Sequence, residues 1–223
     1  MKRVVILITT IVVFLAACSG RPDPRAYRSS TPSEYYVYFP QDYKTDVNWL
    51  LFLGVHAEGE DGADCFRRWQ PFADDYSFIL LCPTFTYADG SILSGEQLIA
   101  ELLRNLYNSY PFQSRFFVAG LGEGGDFVMQ YAFRYPDAVT GAAALSPQEF
   151  PASVYNGQSV PLLILAGEED APAVQVANEF EAEAQRLGLP VRVIFLQNED
   201  DNLSGDASRL AVEFALQASR IIP

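Results

Sequence analysis

The sequence predicts an α/β fold, a three-layer sandwich in which a mainly parallel sheet carries helices on both faces. Three observations point there. Short apolar runs alternate along the chain with stretches of about ten to fifteen residues that show helical periodicity, the pattern of βαβ units. Several of the runs, Trp49 to Val55 above all, are apolar without polar alternation, as strands buried on both faces are. A strand, a glycine turn and a helix also follow one another directly between Arg115 and Ala132. In such sheets ligands bind at the carboxyl ends of the strands.

Tyr35–Phe39 is β-rich and closed by Pro40, which suits an edge or meander strand, and Trp49–Val55 suits a central one. His56–Gly62 is an acidic glycine-containing loop, followed by Cys65, Phe66, Trp69, Phe72 and Ala73 at helical spacing. Ser77–Cys82 is a buried strand stopped by Pro83. A helix is expected from Ser94 to about Tyr110, with Ser94 as its cap and Gln97 at the reciprocal capping-box position. After the glycine turn and its helix come a small-residue strand at Val139–Leu145 and a buried strand at Val160–Gly167. A helix from about Ala173 to Leu187 stops at Gly188; a strand at Val191–Leu196 and a helix at Asp206–Ser219 complete the pattern.

The chain has 223 residues, 49% of them hydrophobic and 13% aromatic, enough for one substantial core and a single domain spanning 35–223. Met1-Lys2-Arg3 followed by the apolar run Val4–Ala17 reads as a secretory signal, too short for an ordinary membrane span. Leu15-Ala16-Ala17-Cys18 resembles a bacterial lipobox, which implies cleavage after residue 17 and lipidation of Cys18, a simple secretory signal or an uncleaved anchor with an incidental Cys18 being the alternative. Residues 18–34, rich in proline and polar side chains, would then form a lipidated tether, and the protein would sit outside the cytoplasm on the bacterial envelope. The net charge is −13, and losing Lys2 and Arg3 makes it two units more negative, which disfavours nucleic acid as a partner. Cys65 and Cys82 are either a disulfide pair, suited to an oxidising compartment, or two small buried hydrophobes.

Three landmarks carry a family resemblance. They are Val55-His56-Ala57-Glu58-Gly59 after a strand; Trp69-Gln70-Pro71-Phe72-Ala73-Asp74 leading to Phe78–Pro83; and Gly120-Leu121-Gly122-Glu123-Gly124-Gly125 between strand and helix. Their order resembles the α/β-hydrolase superfamily, in its phospholipase/carboxylesterase or polyhydroxyalkanoate-depolymerase-like branch. The resemblance covers about Tyr35 to Ile221 and implies a nucleophile elbow at Gly120–Gly125, where the family lifts a serine above the sheet. Here that position is Gly122. Asp170 stands where the family's acid stands, a solvated or helix-capping carboxylate being the alternative. In the loop Gln197–Asp206, where the family carries its histidine, the matching residue is Asp201, or Asp200 or Asn202 if the register slips.

Attack on an acyl group needs a hydroxyl held against a base, and both are absent from these positions. The only histidine, His56, is a structural loop residue or a displaced base. With Ala57 and Glu123 it belongs to the oxyanion side of the site. Ser94 and Ser146 read as a helix cap and a turn residue. The expectation is a degenerate, catalytically inactive member that binds a ligand or protein partner at the former active-site face. A residual carboxylesterase/lipase-type hydrolase and a structural envelope module are the alternatives. The acidic loops holding Glu58, Glu60, Asp61, Glu123, Asp170, Asp200 and Asp201 share one end of the predicted sheet, with Phe85, Tyr87 and Phe150 as candidate pocket aromatics. No cofactor motif and no metal-ligand spacing appear.

Overall fold

Along the run expected to form a central strand, Leu51, Leu53 and Val55 enter one hydrophobic core while Leu50 and Phe52 enter a second. A strand with no wet face needs a covered sheet on both sides, and the computed structural model, which describes residues 25–149 and 160–220, has that architecture. The strands of the main sheet are β1 (Ala26–Ser29), β2 (Tyr35–Tyr38), β3 (Leu51–Val55), β4 (Ile79–Pro83), β7 (Phe116–Leu121), β8 (Val139–Leu145), β9 (Leu162–Gly167) and β10 (Val191–Leu196). Between β4 and β7 lie a separate hairpin, β5 (Thr86–Ala88) and β6 (Ser91–Leu93). Strand order in the sheet is β1-β2-β4-β3-β7-β8-β9-β10. From β4 to β10 neighbours are parallel, and β2 runs antiparallel to both β4 and β1.

The helices are α1 (Gly62–Tyr76), α2 (Gly95–Tyr107), α3 (Glu123–Arg134), α4 (Ala171–Leu187) and α5 (Gly205–Arg220). Trp69 and Ala73 of α1 share one core with Ala207, Ala211 and Ala215 of α5. Ile99 and Leu102 of α2, Val128 and Met129 of α3 and Phe180 of α4 fill the other. Cys65 of α1 is joined to Cys82 of β4 by a disulfide, with the Cα atoms 5.8 Å apart. It crosses β3 at Gly54, where a Cβ would stand 2.4 Å from the Cys65 sulfur.

Several details differ from expectation. Residues 26–29, assigned to the tether, form β1, so β2 lies one place in from the sheet edge. As an edge strand that is mostly exposed, β1 has no buried face to impose an apolar period. It is secured through Arg25, whose guanidinium pairs with Asp74 of α1; Asp74 also accepts from the Tyr38 hydroxyl and the Gln41 amide. The β5–β6 hairpin has its signal in Asp89-Gly90, both at positive φ as a tight hairpin turn demands. Ser94 does not cap α2: it sits at φ 54° with no side-chain cap bond, so the expected box with Gln97 does not form. The capping box belongs instead to α1, between Asp61 and Asp64. The expected signal peptide, Cys18 and Phe150 lie outside the described residues.

Candidate functional site

The carboxyl ends of the parallel strands bring together the loops that begin at His56, Gly122, Ser146, Glu168 and Gln197. Gly122 occupies the turn between β7 and α3 at φ 55° and ψ −124°. Its N–H donates to Leu145 O, and its carbonyl accepts from the Gly125 and Asp126 amides, so the turn is pinned on both sides. Neighbouring glycines are required by space. A Cβ at Gly120 would lie 2.1 Å from Gly124 O, and one at Gly124 would lie 2.6 Å from His56 O. At Gly122 the nearest atom to a built Cβ is the Ala57 Cβ at 3.4 Å, an ordinary contact. The elbow therefore has room for a side chain at its apex and carries none.

His56 is buried, and both ring nitrogens are engaged. Phe85 N–H donates to Nε2 at 2.8 Å, which leaves the proton on Nδ1 to donate to Ala57 O, also at 2.8 Å. Burial pushes its pKa below the ordinary histidine value. A ring so held has no lone pair to offer a nucleophile, and this decides between the two readings of His56 in favour of the structural one. Phe85 and Tyr87 pack on this ring, with centroids at 5.9 and 5.4 Å, and the Tyr87 hydroxyl donates to His56 O. These two aromatics thus brace the loop and do not line the neighbouring crevice.

That crevice, of about 450 Å³, is lined by Ala57, Glu58, Glu60, Leu121, Gly122, Glu123, Ser146, Gln148, Asp201 and Asn202. Of the three residues that could match the family's histidine, Asp201 and Asn202 line the same crevice as Gly122, while Asp200 closes a local turn by accepting from the Asn202 amide. Asp170 is the N-cap of α4: it accepts from Ala173 N–H and, on its other oxygen, from the Gln148 amide at 3.3 Å. It reaches the crevice only through Gln148. Asp61, counted among the crevice acids from sequence, is the α1 cap. Of the candidate oxyanion donors, the Ala57 N–H is taken, by Glu60 at 3.1 Å, and the Glu123 side chain turns back to accept the Glu58 N–H at 3.0 Å. The Glu123 N–H opens α3 beside Gly122 with no acceptor among the described residues.

Two residues that the sequence did not single out as binding groups belong to this region. Ser146, read as a turn residue, lines the crevice at φ 42°, fully buried, with no hydrogen-bond partner for its hydroxyl among the described residues. Asp126 of α3 is buried and accepts the Gln148 and Glu149 amides on one oxygen; burial raises its pKa to about 7. The signal for Ser146 was its place directly after a strand. Nothing local marks Asp126, which reads as an ordinary helical acid.

A sheet of this order, with the elbow at its centre, decides the comparison with solved structures. The fold is that of the α/β-hydrolases. Similar structures include the fluorophosphonate-binding serine hydrolase F (FphF) of Staphylococcus aureus, with a TM-score of 0.69 and 16% identity over 86% of this chain and 96% of that one. The S-formylglutathione hydrolase FrmB of Staphylococcus aureus matches at 0.66 and 16% over 89% and 98%. The acetyl xylan esterase of Aspergillus awamori matches at 0.68 and 16% over 85% and 99%. No protein-family model and no curated protein matches the sequence. Gly122, in the turn between β7 and α3, and Asp201, in the loop after the last strand, line the same crevice.

Proposed function

We propose that this protein is a catalytically inactive α/β-hydrolase-fold lipoprotein, anchored to the bacterial envelope through Cys18, which binds a ligand or partner at the former active-site face. One observation carries the reading: the elbow apex is a glycine in a turn that still has room for a side chain, and the crevice beside it presents no histidine. His56 cannot substitute, because both of its nitrogens are committed. The Glu60 carboxylate occupies the Ala57 amide, one of the two donors expected on the oxyanion side. An open crevice of about 450 Å³ favours binding over a purely structural envelope module, whose pocket would be filled by its own side chains.

The test is turnover. Purified protein is expected to hydrolyse p-nitrophenyl acetate no faster than buffer does. Hydrolysis that is lost on Asp170→Asn would overturn the reading in favour of a working esterase. Anchoring is checked separately, by incorporation of labelled palmitate that disappears in Cys18→Ser.

A further inference from the structure

Exposed apolar side chains gather at the end of the molecule opposite the crevice. Among the described residues, Tyr27, Val47, Leu93, Tyr107, Tyr110 and Tyr135 are large, apolar and exposed. Val47, Tyr107, Tyr110 and Tyr135 lie in the segments that lead into β3, β7 and β8, at the amino ends of the strands whose carboxyl ends form the crevice. Leu93 lies apart from them, on the β5–β6 hairpin. The aromatic side of this patch is continuous. Tyr27 and Tyr110 line one groove, the Tyr110 ring packs on Phe39 at 4.8 Å, and Phe112 joins Tyr110 to Tyr107 at 6.2 and 5.5 Å. From Phe39 the rings continue through Tyr43 to Trp49, and the Trp49 indole N–H donates to Lys44 O, which fixes the loop carrying Lys44 and Val47 at the same end. Lys44 is exposed and is the only lysine apart from Lys2.

The chain enters the domain at this end. Arg25 O accepts the Phe39 N–H, and through Tyr38 the first residue of β1, Ala26, is level with Leu80 near the start of β4. Arg25 stands seven residues after Cys18. A stretch of that length reaches at most about 25 Å, whereas a folded chain of this size is roughly 40 Å across. A lipid on Cys18 would therefore hold the amino ends of the strands close to the bilayer and leave the crevice on the far side. We propose that Tyr27, Val47, Tyr107 and Tyr110 rest in the headgroup layer of the bilayer that holds Cys18, with the crevice directed away from it. This inference rests on the proposed lipid anchor and adds which face meets the membrane. Tyrosine suits such a place because its ring is apolar and its hydroxyl stays among polar headgroups. Lys44 can lay its stem along the same layer with its ammonium on a lipid phosphate. Asp42 and Asp46 flank Lys44, so the loop offers no excess of positive charge, and the surface it fits is a zwitterionic phospholipid, not an anionic one. Glu58, Glu60, Glu123 and Asp201 line the crevice at the other end, and repulsion from any anionic lipid favours the same orientation.

Fluorescence of the lipidated protein in phosphatidylcholine vesicles tests this. A nitrobenzoxadiazole label is attached at Val47→Cys or, on the hairpin, at Leu93→Cys, both exposed positions, and the vesicles carry spin-labelled phosphatidylcholine as a quencher in the headgroup layer. The label at position 47 should be quenched several-fold more strongly than the label at 93 and should shift its emission to the blue on reconstitution. If the change at 47 disturbs folding, Tyr27→Cys, at the most exposed of these side chains, gives the same readout. Equal quenching at both ends, which means a domain turning freely on its tether, overturns the inference, as does no quenching at 27 or 47. Adding phosphatidylglycerol should not strengthen the quenching at 47; an increase would overturn the match to zwitterionic lipid. A label at 47 shielded from iodide without vesicles, with a sedimentation mass of two chains, would assign this face to a second copy and likewise overturn it. Palmitate labelling of the same preparation separates the outcomes. Palmitate on Cys18 with an unquenched label at 47 defeats this inference alone, whereas no palmitate defeats the lipoprotein reading beneath it.

Discussion

Placing a side chain back on the elbow apex by Gly122→Ala should destabilise the protein by about 1–2 kcal/mol. The magnitude follows from two opposing terms. At φ 55° and ψ −124° an L-residue bears strain of about 1–3 kcal/mol, while replacing glycine stiffens the unfolded chain and returns about 0.4–1 kcal/mol. Packing adds little, because the new Cβ would meet Ala57 Cβ at 3.4 Å. Gly120→Ala is the contrast. Its Cβ would collide with the Gly124 carbonyl at 2.1 Å, a backbone clash that side-chain rotation cannot relieve, and its cost should be several-fold larger. Urea unfolding of the oxidised protein, followed by circular dichroism, measures both. A Gly122→Ala variant as stable as the parent, or a Gly120→Ala variant as mild as it, would refute the elbow geometry from which the functional argument starts.

Three other outcomes follow from the structure. Replacing Cys65 and Cys82 together by alanine should cost about 3 kcal/mol, the chain-entropy value for closing a loop of this length, read from the urea midpoint. His56 has a folded-state pKa below its unfolded one, so its contribution is complete above about pH 6.5 and is lost as pH falls below that value. His56→Phe should flatten this acid limb of the stability curve while costing about 1–3 kcal/mol for the orphaned Phe85 amide. Asp126 behaves oppositely: its pKa is raised to about 7, so its contribution is full below about pH 4 and is lost as pH rises to about 7. Asp126→Asn, which retains an acceptor for the Gln148 and Glu149 amides, should gain on the parent by on the order of 2–4 kcal/mol between pH 4 and pH 8.

The layers of the fold were legible because burial writes itself into sequence. Leu50 to Val55 feeds two cores and so shows no polar alternation, and Gly188, at φ 67°, stops α4 where its spacing implied. Elements without a buried face were not legible: β1 is mostly exposed and is held by an ion pair from Arg25 to Asp74, 49 positions away. At the site, the types and order of Gly122, Asp170 and Asp201 could be read from chain order alone. Their partners could not. That Asp170 turns to Gln148, that Glu60 and Glu123 cap the loop amides, and that Ser146 has no partner among the described residues are consequences of how separate loops meet.

On the proposed reading the elbow turn is intact and lacks its nucleophile and histidine, and restoring both tests that reading most directly. Intact-mass spectrometry after exposure to a fluorophosphonate should show the parent protein unmodified. The Gly122→Ser, Asp201→His double variant should gain the mass of one phosphonyl group, mapped by peptide analysis to position 122. Modification of the parent, or a folded double variant that stays unmodified, would contradict the account.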